Sequence, residues 1–188
     1  GKLERLPGLA AELVALKLDI MLAASTPAVL AAKRATKTIP IVMTSVGDPV
    51  GTGLVDSLAR PGGNITGNTT IIGEMAGKRL ELLKQLVPHL TRVAALGFPG
   101  DPIFAVQMRH AAAVARSLKV EVFPVEIRSV SELDRAFETI VRQRADGVLR
   151  LGDPLVVPGR QRTSELAREH RLPTMANRVE EVEAGLLM

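Results

Sequence analysis

Apolar positions along the chain switch repeatedly between helical and extended spacing, which predicts an alternation of helices and strands. Leu6, Leu9, Leu13 and Leu16 recur at helical intervals with Ala10 and Val14 beside them, predicting an amphipathic helix over residues 4–17. Residues 19–24 form a short apolar run, the mark of a buried strand. Ser25-Thr26-Pro27 then places a hydroxyl at an N-cap and a proline in a first turn. The Ala- and Leu-rich residues 28–37, closed by basic side chains, complete that helix. Ile39-Pro40-Ile41-Val42-Met43 is β-branched and predicts the central strand, with residues 44–49 as its exit loop of small and acidic groups. A short helix is expected over residues 53–59. Arg60-Pro61-Gly62-Gly63-Asn64 forces a turn, and residues 65–70 read as an extended piece leaving the first unit.

The rhythm then restarts. A helix is predicted over residues 74–86 with Met75, Leu80, Leu83 and Val87 inward, then a strand over 93–96. In the loop from Phe98 to Pro102, Asp101 is placed to cap a helix reaching residue 118. A strand over 120–125 follows. Ser129-Val130-Ser131-Glu132 fits a capping box for a helix with Leu133, Phe137, Ile140 and Val141 as its buried stripe. A strand over 147–151, its exit loop Gly152-Asp153-Pro154, a helix over 159–171, a strand over 172–175 and a short helix over 179–184 complete the pattern. Two successive βαβ units with short connections define an α/β chain with parallel sheets.

Composition narrows the function. Among 188 residues there is no Cys, so disulfides and thiolate metal sites are excluded. No apolar run approaches the roughly 18 residues of a membrane span. The formal charge of +4 raises a nucleic-acid reading, but Lys and Arg are scattered among Asp and Glu, and with 2% aromatics, no Trp and no Tyr, base-stacking platforms are nearly absent. A solvated mixed-charge surface is the plainer reading, with no nucleic-acid partner. The chain opens inside a helical pattern and closes as a strand begins, so both ends read as cut.

Candidate chemistry gathers at strand exits, where open α/β sheets bind ligands. Ser25 and Thr26 stand at a helix N-terminus, whose free N–H groups and dipole favour an anion such as a carboxylate. Ser45 and Asp48 lie on the central exit loop, Phe98 and Asp101 on the next, and Asp153 on a third. Asp48 and Asp153 can each face an ammonium group, so the set suits an amino acid or a similar zwitterion. Taken singly, Ser-Thr-Pro and Asp-Pro are common caps and turns. Catalytic patterns are weak: His89, His110 and His170 are separated, and no HExxH, GxSxG or Walker sequence occurs. Gly47-Asp48-Pro49-Val50-Gly51-Thr52-Gly53 lacks the GxGxxG spacing and reads as a loop, so no cofactor is expected. The six methionines read as core filler.

Several segments resemble a known family. Thr26-Pro27-Ala28, the Gly47-to-Gly53 loop just quoted, Arg60-Pro61-Gly62-Gly63-Asn64-Ile65-Thr66-Gly67 and Ala76-Gly77-Lys78-Arg79-Leu80-Glu81-Leu82-Leu83-Lys84 are similar to the ABC transporter substrate-binding proteins of the tryptophan/tyrosine type. The resemblance implies a type I periplasmic-binding-protein fold: two Rossmann-like lobes, joined by crossing strands, that close on a small solute by a hinge motion. On that pattern residues 1–67 are a first lobe, 68–174 a second, and 175–188 a return segment toward the first. Ser25, Thr26, Ser45 and Asp48 are implied as first-lobe contacts, and Phe98, Asp101 and Asp153 as second-lobe contacts. The implied partner is a membrane ABC permease, and the implied location is periplasmic or lipid-anchored outside the cytoplasm. The first lobe is expected to be incomplete, exposing unpaired edges through which a homo-oligomer can form. A ligand-sensing regulatory domain of the same fold is the alternative reading, and an α/β enzyme a weaker one, for want of a nucleophile–base pair or metal cluster.

Overall fold

The structure, a computed structural model, describes residues 3–187. The chain divides into two compact units: the first runs to Ile71 and takes in Asp101–Ile103, and the second comprises Ile72–Gly100 and the chain from Phe104 onward. The division after Ile71 falls four residues later than the expected end of the first lobe. The described part of the expected return segment stays with the second unit, because Leu187 N–H donates to Thr174 O (3.0 Å) and Ala176 N–H to Leu187 O (2.6 Å).

The first unit holds helix α1 (Leu6–Ala15), strand β1 (Met21–Ala24), helix α2 (Thr26–Ala35), strand β2 (Ile41–Gly47) and strand β3 (Ile65–Thr70). Its three strands are parallel in the order β1-β2-β3. Alternation along the strands buries one face: Met21, Ala23, Ile41, Met43, Val46 and Ile65 pack with Val29 and Ala32 of α2 and with Leu54 and Val55. On the other face Leu22 is 72% exposed. β1 is therefore half-buried, not the buried strand its composition predicts. The leucine stripe of α1 is likewise on a helix as expected, but Leu9, Leu13 and Leu16 are exposed and Ala10 is its buried residue.

Two further expectations are corrected here. β2 continues four residues past Met43, through most of the predicted exit loop, because β3 pairs alongside it. The pairing steps from Met43↔Gly67 to Val46↔Thr69, so β2 carries one extra residue, a bulge. Gly67 sits at φ +138°, and a Cβ there would lie 2.0 Å from Met43 O. Residues 53–59 form turns and not a helix. Gly53 is at φ +68°, the N–H groups of Leu54 and Val55 both donate to Pro49 O, and Asp56 N–H donates to Pro61 O, so no helical ladder can run.

The second unit runs α3 (Ile72–Leu86), β4 (Arg92–Gly97), α4 (Ile103–Ala115), β5 (Glu121–Glu126), α5 (Leu133–Arg142), β6 (Gly147–Arg150), α6 (Val156–Glu169), β7 (Thr174–Met175) and α7 (Val179–Glu183), with only the first residue of α4, Ile103, lying in the other unit. Its sheet is parallel throughout, in the order β5-β4-β6-β7. β6 is buried on both faces, and β4 from its second residue. Ala76, Leu80, Leu83 and Val87 of α3 and Ala111 and Ala115 of α4 cover one face of the sheet. Leu133, Phe137 and Ile140 of α5 are buried as predicted, whereas Val141 and, on α3, Met75 face solvent. The capping box is displaced: Glu132 Oε2 accepts Arg128 N–H (2.9 Å), and Ser129 Oγ makes no capping bond. Among the described residues no helix is long and apolar enough to cross a membrane.

Because no L side chain fits at residue 67 without moving the β2 backbone, Gly67→Ala should destabilise the protein by about 1–3 kcal/mol, read as a lower urea midpoint. A variant within about 0.5 kcal/mol of the parent, the range of ordinary surface changes, would contradict the close approach.

Candidate functional site

In the first unit the pairing Ala24↔Thr44 sets Ser25 beside Ser45 at neighbouring strand positions. Ser25 N–H donates to Thr44 O (3.0 Å), and Ser25 O accepts Val29 N–H (3.1 Å) as the first helical bond of α2. Its hydroxyl makes no capping bond, so it is not spent on the helix. Ser25 has φ 76° and ψ 151°, a region populated almost only by glycine. Thr26 is 1% exposed, so neither its side chain nor its backbone offers open surface to a ligand in this arrangement. Ser45 lies in the bulge of β2, exposed, at φ 53°. Asp48 follows at φ 45°: its Oδ1 accepts Gly51 N–H (2.8 Å), and its carbonyl accepts Thr52 N–H (3.0 Å) and Thr52 Oγ1–H (2.7 Å). Lys33 Nζ of α2 donates to Gly53 O (2.5 Å) and Leu54 O (3.1 Å), pinning the far end of this turn.

The strain in this region is local. Among the described residues seven non-glycines have positive φ. Lys17, Lys119, Arg144 and Arg171 follow helices, and each N–H bonds back to a carbonyl three residues earlier, the usual left-handed helix ending. The other three are Ser25, Ser45 and Asp48. All three are among the residues that the sequence singles out at strand exits.

In the second unit, β4 leads to β5 on one side and β6 to β7 on the other, so the exits of β4 and β6 flank a topological switch point. Phe98 and Asp153 meet there, Phe98 N–H donating to Asp153 Oδ2 (2.9 Å). Asp153 is not a free partner for an ammonium group. Its two oxygens also accept Arg150 Nη1 (2.8 Å), Arg150 Nη2 (3.2 Å) and Leu155 N–H (2.7 Å), and the Arg150–Asp153 side chains are 1% and 2% exposed. Phe98 is itself buried. Asp101 is a buried cap whose Oδ1 accepts Ile103 N–H (3.1 Å) at the start of α4.

Sequence reading missed the charged groups beneath these loops. Arg150 Nη1 also donates to Leu96 O (3.0 Å) and Leu151 O (2.8 Å). Arg79 of α3 donates to Arg150 O (2.7 Å), Ala176 O (3.4 Å) and Gln107 Oε1 (3.3 Å). Gln107 of α4 clasps Gly152, giving Nε2–H to its carbonyl (2.8 Å) and taking its N–H on Oε1 (2.7 Å). Glu181 of α7 is fully buried; its Oε2 accepts Asn177 N–H (2.9 Å) and Asn177 Nδ2–H (3.3 Å), while Oε1 and Asn177 Oδ1 have no hydrogen-bond partner. Burial lowers Arg79 to about 10, partly offset by Glu181, and burial raises Glu181 above the ordinary carboxylate range, opposed by Asn177 N–H and by Arg150. A sequence signal existed for Arg150: it is a lone charge closing the apolar run Gly147-Val148-Leu149.

A cavity of the second unit, about 590 Å³, is lined by Arg168, Leu172, Pro173 and Leu186, at the amino end of β7 and away from these exits. Among the described residues no group of three or more His, Asp or Glu is placed to hold a metal.

Parallel α/β units with loops gathered at their strand exits define a ligand-binding class of fold. The chain belongs to the ABC transporter substrate binding protein family, whose model matches residues 1–188. It is 34% identical over 179 residues to a tyrosine-binding protein of Clostridioides difficile strain R20291, covering 95% of this chain and 51% of that one. Its fold matches that of an ABC domain in complex with L-Trp from Streptococcus pneumonia with a TM-score of 0.89 and 25% identity, over 99% of this chain and 62% of the other. A conserved domain protein from Vibrio cholerae matches with a TM-score of 0.88 and 26% identity over the same shares. The chain thus spans about half the length of that curated relative and about three fifths of those solved structures.

The burial of Glu181 has a pH consequence. With its folded value raised, the native state holds a proton that the unfolded chain releases first. This contribution to stability is complete below the unfolded carboxylate range and is lost as pH rises through the raised value. Unfolding free energies measured from acidic to neutral pH should therefore fall more steeply for the parent than for Glu181→Gln. A parent curve that rises relative to the variant across that window contradicts the assignment.

Proposed function

We propose that the protein is the solute-binding component of an ABC-type importer, taking an amino acid or a related carboxylate. The observation that carries this reading is the coincidence, in a chain of this family, of left-handed backbone at Ser25, Ser45 and Asp48 with the exits of β1 and β2. Strain at non-glycine residues persists where the surroundings enforce it, and it concentrates at ligand clamps. The exposed Ser45, the uncapped hydroxyl of Ser25 and the N-terminus of α2 offer donors to a carboxylate, and the half-buried Asp48 offers an acceptor to an ammonium group. Ligands of the relatives, tyrosine in one and L-Trp in another, share that zwitterionic head.

On this reading the protein is a receptor and not an enzyme. Its partner is a membrane permease, and it works outside the cytoplasm, free in the periplasm or lipid-anchored. Solute recognition needs no metal or cofactor. Of its four Phe residues Phe98 alone lies at a candidate exit, and it is buried, so side-chain stacking contributes little and the zwitterionic head is the recognised feature. β1 and β3 are the outer strands of the first sheet, and a second copy would pair along them if the chain self-associates.

The test is a thermal melt of the full reading frame against a panel of amino acids and small organic acids. A solute at 100 times its Kd adds about 2.7 kcal/mol, read as a rise of several degrees in the melting temperature. Asp48→Ala should abolish the shift. Ser25→Gly should leave the ligand-free protein as stable as the parent or more so, because glycine relieves the backbone strain, and yet weaken binding about tenfold, the scale of one hydrogen bond. A panel without any shift would overturn the amino-acid reading, and Ser25→Gly binding as the parent does would remove Ser25 from the site.

A further inference from the structure

We infer that Arg79, Gln107, Arg150 and Asp153 form a buried positioning frame that sets the exits of β4, β6 and β7 in a ligand-ready geometry before any ligand arrives. The inference rests on the solute-binding reading above and removes Asp153 from the residues that touch the solute. Arg79, Gln107 and Arg150 are buried residues, and the Asp153 side chain is 2% exposed. Each spends its polar atoms on backbone at the ends of strands. Arg150 and Asp153 hold Leu96 O, Phe98 N–H, Leu151 O and Leu155 N–H, tying the exit of β4 to that of β6. Gln107 holds both backbone groups of Gly152, and Arg79 joins Arg150 O, at the end of β6, to Ala176 O, just past β7. Arg79 also reaches Gln107, so the four side chains form one connected set anchored on α3, α4 and β6.

Strand exits are where ladder bonding stops, and loops left to themselves are mobile. A ligand that must order such loops loses affinity in proportion to the ordering, and loops already held avoid that loss. Stability alone does not call for this arrangement, because a buried ion pair is commonly replaceable by apolar side chains without net loss. What apolar side chains cannot do is bind the carbonyls and N–H groups of three separate exits at fixed angles. Gly152 fits the same role: a Cβ there would lie 1.9 Å from Ile72 Cδ1 and 2.9 Å from Asn177 Oδ1, so the clasped loop packs against α3 and the β7 exit without slack.

The experiment uses the full reading frame, with L-tyrosine and L-tryptophan as probes, well below the unfolding transition. Gln107→Leu should weaken binding by about tenfold or more, the scale of one lost hydrogen bond, and should accelerate amide exchange at Gly152 in the ligand-free protein by a similar factor. Leu83→Ala, in the core of the same unit and remote from the exits, should lower the melting temperature at least as much while leaving affinity within about twofold. Gln107→Glu keeps the acceptor for Gly152 N–H and loses only the donor, so it should fall between parent and Gln107→Leu; it stands in if Gln107→Leu does not fold. Parent-like affinity in both Gln107 variants, or an equal loss in Leu83→Ala, overturns the frame. If the parent binds neither probe, it is the amino-acid reading that fails. The exchange measurement still decides on the frame, since unchanged protection at Gly152 and Phe98 would refute it.

Discussion

Arg150 ends a buried strand, and the way its charge is met organises the whole carboxyl edge of the second sheet. An unpaired guanidinium in such a place costs several kcal/mol, and removing either member of a buried pair is more damaging than never having had the pair. Asp153, three residues on, supplies the counter-charge at 2.8 Å. What remains of both groups is turned to backbone that the ladder has stopped serving: two carbonyls on the arginine side and two N–H groups on the aspartate side. A second cation, Arg79, is buried close by and donates to two carbonyl oxygens and an amide oxygen. At about 10 its pKa still leaves it charged at neutral pH, and the nearby Glu181 moderates the cost. The second unit therefore buries more charge than a small α/β core usually tolerates, and does so where polar satisfaction and loop placement are the same task.

The first unit holds its loops by other means. Its sheet has one covered face, and its exits are fixed by backbone that departs from the common minima at Ser25, Ser45 and Asp48. Each departure has an identifiable restraint. Ser25 is held by Thr44 O and by its place at the head of α2, Ser45 by the bulge between the Met43 and Val46 pairings, and Asp48 by its bond to Gly51. Lys33 fastens the far side of the turn. Positions of this kind cost about 1–3 kcal/mol each, so three together are a large demand on a unit with a single covered sheet face.

The alternation of helices and strands was legible in the sequence because apolar spacing and β-branched runs carry it directly, and the two parallel sheets follow from that alternation. The misses have physical causes. β2 was placed too short because residues 44–47 are small and polar, and nothing local reveals that β3 will pair with them. The helix expected at 53–59 was defeated by Gly53 in left-handed conformation and by the double acceptance at Pro49 O. At the candidate site, residue types and strand-exit positions singled out Ser25, Ser45, Asp48 and Asp153 alike, because spacing cannot say whether an exit acid faces solvent or a buried arginine. Arg79, Gln107 and Glu181 sit on amphipathic helices among ordinary polar residues, and only the packing shows which of them turn inward.

An acid at a strand exit can serve a ligand or the protein, and the number of bonds it already makes distinguishes the two. Asp153 accepts four hydrogen bonds from its own unit and its side chain is 2% exposed, so a ligand would have to break an internal ion pair to reach its carboxylate. Asp101 is buried as a helix cap. Asp48 is half-buried, and its carboxylate accepts one backbone N–H on Oδ1. The geometry thus separates Asp48 from Asp153, the two acids that sequence reading set against an ammonium group, and keeps Asp101 as the helix cap it was expected to be. Of the three, Asp48 alone keeps part of its surface open and makes a single side-chain bond to backbone, which is what the proposed contact with a solute ammonium group requires. This division follows from electrostatics: a carboxylate that has already surrendered its hydration to an arginine gains little from a second cation, whereas one still facing water can exchange that water for a ligand.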